Sequence, residues 1–272
     1  MAEPRSDEWI DLQSAADRLG VHYQTAYRWV RTGKLAAELV AGSYRLRSSD
    51  VDVAGAQQAA PSAHRPPSDE RLQRQSDRLH DALVAGDETS ARRIVTRLID
   101  EGTPIVDVIQ TVVVPPLRRI GTAWHEGRLS IWVEHRASAI VERLLGELAP
   151  NRRGRRRGRA VVAAVSGDQH SLPTTMAAVS LRDDNWHVDH LGADVPTTEL
   201  IDYCASNDAD VVVLSSTNPE VAPLAAATAA ELRQRGVSTI VGSPGSTLDD
   251  LRTAARNVLR PGADTDLVVS AR

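Results

Sequence analysis

Asp168 and His170 carry the most specific chemistry in this chain. They lie in the string Gly167-Asp168-Gln169-His170-Ser171-Leu172-Pro173, which follows the β-branched run Ala160–Ser166 and opens a helical segment. That position is a loop at the carboxyl end of a strand, where open α/β sheets bind ligands. A carboxylate two residues before a histidine can hold the ring in one tautomer and leave the other nitrogen to a metal. The competing reading is an ordinary solvated loop histidine. The string lacks the G-x-G-x-x-G glycines, so it is not a dinucleotide fingerprint. A second group sits in Ile120–Ser138, IGTAWHEGRLSIWVEHRAS. Here Trp124 and His125 fall in a Gly-flanked break, and Glu134 and His135 stand ten residues further on, on the next helix. Taken alone, Trp124 and Trp132 read as core, and the Glu-His pair lacks a second His at i+4 for a metal.

A third group is N-terminal. Between Val21 and Arg47 stand five basic residues (Arg28, Arg31, Lys34, Arg45, Arg47) and one acid, Glu38, a local charge of 5 − 1 = +4 in a chain of formal charge −4. Tyr23, Tyr27 and Tyr44, three of the four tyrosines, lie in the same stretch. Short polar groups and Arg reach base edges, and surrounding cations neutralise phosphates. Gln24, Thr25 and Arg28 suit the first task, and Arg31, Lys34, Arg45 and Arg47 the second. Double-stranded operator DNA is the expected partner, against a basic helical module that binds protein.

The elements that must position these groups follow from periodicity. Leu12–Leu19 and Tyr23–Arg31 form helices broken at Gly20 and Gly33, and Leu39-Val40 and Tyr44–Leu46 form a hairpin. Helix, turn, helix and hairpin make a winged helix-turn-helix. Ala91, Ile94, Val95, Leu98 and Ile99 lie on one helical stripe. With helices near 71–84, 105–120 (kinked or restarted at Pro115-Pro116) and 131–148 they make a four-helix bundle. Past residue 160 the period changes. The runs Ala160–Ser166, Trp186–Leu191, Asp210–Ser215 and Ser238–Gly242 alternate with helical segments, which argues a parallel, flavodoxin-like α/β sheet. Asp266–Ser270 reads as an edge strand.

The expected layout is therefore a DNA-binding domain over 1–55, a linker over 56–70, a bundle over 71–149, an Arg-rich linker over 150–159 and an α/β domain over 160–272. The run 152–159 reads as a solvated hinge, or as a phosphate contact. Only nine residues are aromatic, with no Phe, and 31 of the 32 basic residues are Arg, both of which fit a coding bias. No run approaches the ~18 apolar residues of a membrane span. One cysteine, Cys204, excludes an intramolecular disulfide and a Cys-based zinc site. The expected setting is cytoplasmic.

Together these strings resemble known families. SAADRLGVHYQTAYRWVRTGKLAA followed by AGSYRLRSSDV looks like the MerR and excisionase-type winged helix-turn-helix, over residues 8–53. Asp-x-His after the first α/β strand, preceded by a bundle with Trp-His and Glu-His, resembles the cobalamin-binding module. That family's signature is Asp-x-His-x-x-Gly, then Ser-x-Leu, then Gly-Gly. Asp168, His170, Ser215 and Gly242 match it, whereas Pro173, Thr217 and Ser243 stand where it has Gly, Leu and the second Gly. These departures bear on how closely the cofactor's nucleotide tail approaches, and not on the His–cobalt contact. The full order resembles the light-sensing adenosylcobalamin-dependent repressors of carotenoid genes.

The resemblance implies adenosylcobalamin as cofactor and His170 as lower axial cobalt ligand, backed by Asp168. It implies that Trp124 lies against the adenosyl group, Glu134 bonds its sugar, His135 lines the same pocket and His125 becomes the upper ligand after light. It also implies a homo-oligomer, dimer or tetramer, that holds DNA in the dark and releases it on illumination, and no enzyme activity. Two alternatives stand beside it: a regulator with a degenerate cobalamin site controlled by a protein partner, and a corrinoid carrier subunit of a methyltransferase. Trp132, Trp186 and Tyr203 are expected to be core.

Overall fold

The computed structural model describes residues 9–21, 23–31, 33–40, 42–59, 69–148, 156–242, 245–259 and 266–269. The chain divides into two compact units, 1–67 and 68–272.

In the first unit β1 (Trp9–Asp11) leads into α1 (Leu12–Arg18), followed by α2 (Tyr23–Arg31), β2 (Glu38–Val40), β3 (Ser43–Arg47) and α3 (Ser48–Ala59). Asp11 caps α1 by accepting from Ser14 N at 2.7 Å, which holds its carboxyl below the usual carboxylate range. The wing is a three-stranded antiparallel sheet in the order β1-β3-β2, one strand wider than the expected hairpin. Leu12, Ala15, Ala16, Ala26, Leu35, Leu46 and Val51 fill a small core. Ala and Leu at those positions let two short helices approach closely around the Gly20 turn, where φ is +65°. The linker expected over 56–70 is shorter at both ends, because α3 runs through Ala59 and α4 (Asp69–Ala85) starts at Asp69.

In the second unit, α4 and α5 (Glu88–Asp100) form a helical hairpin about Gly86. That glycine is obligatory: φ is +76°, and a Cβ would meet the Arg136 guanidinium within 2.7 Å. A composite helix follows: α6 (Ile105–Asp107), a π-helical turn over Val108–Val113, and α7 (Val114–His125). The π turn ends where Pro115-Pro116 remove two amide donors, so the restart expected there takes the form of a changed hydrogen-bond register. α8 (Ile131–Leu148) closes the bundle. Leu79, Leu83, Val95, Leu98, Ile109, Val112, Ile120, Ile140, Val141 and Leu145 form its core.

The α/β part is built from β4 (Arg159–Val165), α9 (Ser171–Asp183), β5 (His187–Val195), α10 (Thr197–Ser206), β6 (Val211–Ser215), α11 (Ala222–Gln234), β7 (Ser238–Gly242), α12 (Leu248–Val258) and β8 (Asp266–Val269). All neighbouring strands pair in parallel, in the order β5-β4-β6-β7-β8. β4 and β6 are buried on both faces, which is why they read as unbroken Val/Ala runs. Trp186 is fully buried, as expected, and Tyr203 is half-buried. Burial pushes the Cys204 thiol up to about 11, so it packs as an apolar group and is a poor nucleophile at neutral pH. Of the Arg-rich segment, Arg157 and Arg159 are anchored by hydrogen bonds while their side chains stay partly exposed. Arg157 Nε donates to Asp184 O at 2.8 Å, and Arg159 Nη1 donates to Asn207 O at 2.6 Å.

The bundle and the sheet share one core. Met176 and Val179 of α9 lie within the bundle's apolar cluster, with Leu172 and Leu248 packed against it. A polar clamp joins them as well. Gln110, on the π turn, accepts from Leu248 N at 2.8 Å and donates from Nε2 to Asp249 Oδ2 at 3.0 Å, holding the first turn of α12. Gln110→Ala should destabilise the protein by about 1–2 kcal/mol in urea unfolding, the net worth of two such bonds. Gln110→Glu should cost more, since it adds negative charge beside Asp249 and the half-buried Asp107. Wild-type stability in both variants would show that the clamp contributes nothing.

Candidate functional site

In this sheet the strand order changes direction at β4, because the next two strands in sequence, β5 and β6, lie on opposite sides of it. The crevice at its carboxyl end is the natural ligand site of such a fold. Asp168 and His170 emerge there, Ser215, Ser216 and Thr217 follow at the end of β6, and Gly242 ends β7. Ser215 pairs with Gly242 across β6 and β7, so these residues share one rim. Ser243 falls outside the described residues.

Asp168 has no solvent exposure. Its Oδ1 accepts from His170 N at 3.1 Å and His170 Nδ1 at 2.7 Å, and its Oδ2 accepts from Thr217 N at 2.8 Å. Thr217 Oγ1 lies 3.1 Å from both oxygens. Burial alone would raise the carboxyl's pKa, but these donors outweigh it and leave the pKa below the ordinary value, so Asp168 is ionised. An acceptor-only carboxylate requires Nδ1 of His170 to carry the proton. Nε2 is then the lone-pair nitrogen, on a side chain that is 64% exposed. The loop is fixed from behind: Asp194 Oδ1 accepts from Gly167 N at 2.8 Å, and Asp194 N donates to Asp168 O at 3.0 Å. α9 starts immediately after His170, and Thr174 and Thr175 hydroxyls bond Ser171 O within its first turn.

This donor set fits a corrinoid cobalt. The His170 ring is exposed and held through Nδ1 by a buried carboxylate, which leaves Nε2 as the nitrogen for a metal. Among the described residues no cluster of three or more His, Cys, Asp or Glu could hold a free metal ion.

The bundle set lies on the α7–α8 hairpin. Trp124 and His125 end α7 and are exposed, so they belong to a helix terminus and not to a break in the helix. Glu134 and His135 sit in the first turn of α8. Glu134 Oε2 accepts from His135 Nδ1 at 2.7 Å, and Oε1 accepts from Ser138 Oγ at 2.8 Å. Trp132 is 59% exposed, so the core assignment for it is wrong. It stacks under the Arg136 guanidinium at 5.1 Å, while Arg136 Nη2 donates to Val84 O at the end of α4. Trp132 is used to hold a cation and not to fill the bundle. Trp124, Ile131 and Trp132 together leave apolar surface at this end of the bundle. Among the described residues, no hydrogen bond or ion pair joins the bundle set to the Asp168–His170 set. Ser138 and Ser216 were missed by sequence reasoning. Ser138 was legible as an i+4 partner of Glu134. Ser216 Oγ, buried without a hydrogen-bond partner, carried no signal.

In the N-terminal unit the expected DNA-reading residues form one aromatic and basic surface. Tyr23 stacks on Tyr27 with ring centres 6.5 Å apart, and Tyr27 meets Tyr44 edge-on at 5.8 Å, which joins α2 to the wing. Lys34 lies over Trp29, and Arg47 over Trp9. Arg31 and Arg45 are exposed and Thr25 is half-buried. The side chains of Gln24 and Arg28 fall outside the described residues.

Comparison with known proteins gives the same three parts. Residues 9–53 match the helix-turn-helix domain family, residues 75–149 a B12 binding domain family, and residues 158–268 a second B12 binding domain family. The chain thus carries a helix-turn-helix domain followed by two B12 binding domains. The HTH-type transcriptional repressor CarA of Myxococcus xanthus is 34% identical over 128 residues, 44% of this chain and 42% of that protein. This chain thus spans less than half of CarA's length. A corrinoid protein of Desulfitobacterium hafniense is 24% identical over 146 residues, 52% of this chain and 68% of its own. The monomethylamine corrinoid protein of Methanosarcina barkeri superposes with a TM-score of 0.53 at 16% identity, covering 73% of this chain and 93% of its own, and supports the fold.

Asp168→Ala should destabilise this B12-binding protein by about 2–4 kcal/mol, because the Thr217 donors are left buried and unpaired. His170→Ala, which removes an exposed ring, should cost under about 1 kcal/mol. Equal losses in urea unfolding would mean that Asp168 is not the keystone of the loop.

Proposed function

We propose that this protein is a transcriptional repressor that uses adenosylcobalamin to bind operator DNA as a homo-oligomer and releases it in light. The observation that carries this reading is the ionised, buried Asp168 directing Nε2 of His170 outward, in a chain that also bears a basic helix-turn-helix. Bound adenosylcobalamin supplies a cobalt–carbon bond that visible light cleaves. The residues of this chain do the rest. His170 would hold the cobalt through Nε2. Trp124 offers an aromatic face to the adenosyl group, and Glu134, already oriented by Ser138, offers a carboxylate to its sugar. His135 would line the same pocket, and His125, exposed next to Trp124, would be placed to hold the cobalt once the adenosyl group has left. The protein acts by binding, and no residue is assigned a catalytic role.

The switch works only if the DNA-binding form has the higher affinity for the intact cofactor. Several small readers held in one assembly also strengthen the grip of a single small reader on DNA. Among the described residues no helix is long and apolar enough to cross a membrane.

The test is a dark titration of the full chain with adenosylcobalamin, read by visible absorption, size-exclusion elution and retention of duplexes selected from a random library. Binding, a larger assembly and DNA retention in the dark, all lost after green illumination except the cofactor itself, are expected. His170→Ala should weaken cofactor binding at least tenfold, and Trp124→Ala should reduce the preference for adenosylcobalamin over methylcobalamin. Absence of binding would leave a regulator controlled by a protein partner. Binding without any light effect on DNA retention would remove the photoreceptor part.

A further inference from the structure

The residue that stands where the cobalamin signature has leucine does something that leucine cannot do. We propose that Thr217 is a positioning residue for the cobalt ligand: its amide and hydroxyl hold the Asp168 carboxylate in the orientation that fixes the His170 tautomer. This rests on the assignment of His170 as the ligand.

An ionised carboxylate has about four lone-pair sites. In Asp168 they are divided. His170 donates twice to Oδ1, through N and Nδ1, while Thr217 N takes Oδ2 and Thr217 Oγ1 sits between the two oxygens. Two of the four donors therefore come from one residue, 49 positions away in sequence and on a different strand end. Asp168 is fully buried, so with Thr217 in place its donors come from the protein and not from bulk water. A leucine at 217 would keep the amide and lose the hydroxyl, leaving Oδ2 with one donor and the carboxylate freer to rotate about Cβ–Cγ. Rotation carries Oδ1 away from Nδ1 of His170, and the proton is then free to move to Nε2, the nitrogen that must stay bare to bind a metal.

The geometry also changes the meaning of the departure at 217. Thr217 spends its hydroxyl on Asp168, so it is not a lost contact to a ligand. It acts on the ligand side chain through the carboxylate and touches no cofactor itself. Outer partners of this kind typically alter metal affinity about tenfold to a hundredfold.

The experiment compares Thr217→Val, Thr217→Ala and Thr217→Ser with the wild type, all as the full chain. The first readout needs no cofactor: ¹⁵N–¹H correlation of the His170 ring, in the dark at pH 8, reports which nitrogen carries the proton. Wild type and Thr217→Ser should show the Nδ1–H form alone, and Thr217→Val and Thr217→Ala should show a second population with the proton on Nε2. The second readout is the affinity for cobinamide, which lacks a nucleotide base, followed by visible absorption. It should fall at least tenfold in Thr217→Val and Thr217→Ala and recover in Thr217→Ser. Valine or alanine variants with the wild-type tautomer would overturn the proposal, as would a serine variant that behaves like valine. If the tautomer responds as expected but wild type binds no corrinoid, the positioning role stands and the cofactor reading fails.

Discussion

A carboxylate removed from water must be neutralised, paired or surrounded by donors, and in Asp168 the third solution organises the whole α/β end of the molecule. Its four contacts come from two strand ends, β4 and β6, which pair in parallel from Ala160↔Val211 to Ala164↔Ser215. That pairing brings residue 217 within reach of residue 168. The register of the sheet and the protonation of one imidazole are thus the same constraint seen at two scales. A slip in that register would shift the loop after β6 along β4 and carry Thr217 away from Asp168. The Asp168 anion would then lose half its donors. The fold need not be built around a ligand to satisfy this, but satisfying it leaves one imidazole nitrogen bare at the surface.

The bundle is attached to that end by different physics. Met176 and Val179 belong to the core of the bundle as much as to the sheet, and α9, which carries them, begins at the residue after His170. Any movement of the bundle against the sheet therefore pulls on the helix that continues from the ligand loop. Gln110 adds a second tether, from the π turn to the first turn of α12. A π turn places one extra residue in the helix circumference, which lets Gln110 face outward between two stretches of apolar stripe. The two tethers differ in kind. The apolar one tolerates sliding, whereas the amide clamp either holds or lets go. An assembly that has to switch between two arrangements can use such a combination.

Sequence reading reached the α/β order, the bundle and the winged reader because each has its own period: runs of Val and Ala, an i, i+3, i+4 stripe, and short helices punctuated by Gly. It also placed Asp168 and His170 on the correct loop, because spacing alone puts two side chains of one loop together. It failed where the deciding fact lay in another element. Thr217 looked like a missing leucine, since nothing local to LSSTNPE points at Asp168. Trp132 looked like core because the neighbouring Val133 and Ala137 are core, and a one-position rotation on a helix puts it on the solvent side. The anchoring of Arg157 and Arg159 was not legible because Asp184 and Asn207, whose carbonyls hold them, are 27 and 48 residues away.

The aromatic residues show how that scarcity is used. With no Phe, the interior is filled by aliphatic side chains, and Trp186 alone among the aromatics is completely buried. The others are at least partly exposed and mostly work as surfaces. Tyr23, Tyr27 and Tyr44 brace α2 against the wing, Trp9 and Trp29 each carry a cation, and Trp132 carries Arg136. A flat ring gives a guanidinium or ammonium a partner without removing it from water, so the cation stays available to phosphate. In the N-terminal unit this keeps Lys34 in place with its charge still exposed. Trp124 differs from all of these, because no cation lies over its ring among the described residues and its exposed face is left for something else to cover. In a chain this poor in aromatic residues, the exposed indole at the end of α7 is therefore set apart from the rings that carry cations and from the one that fills the core.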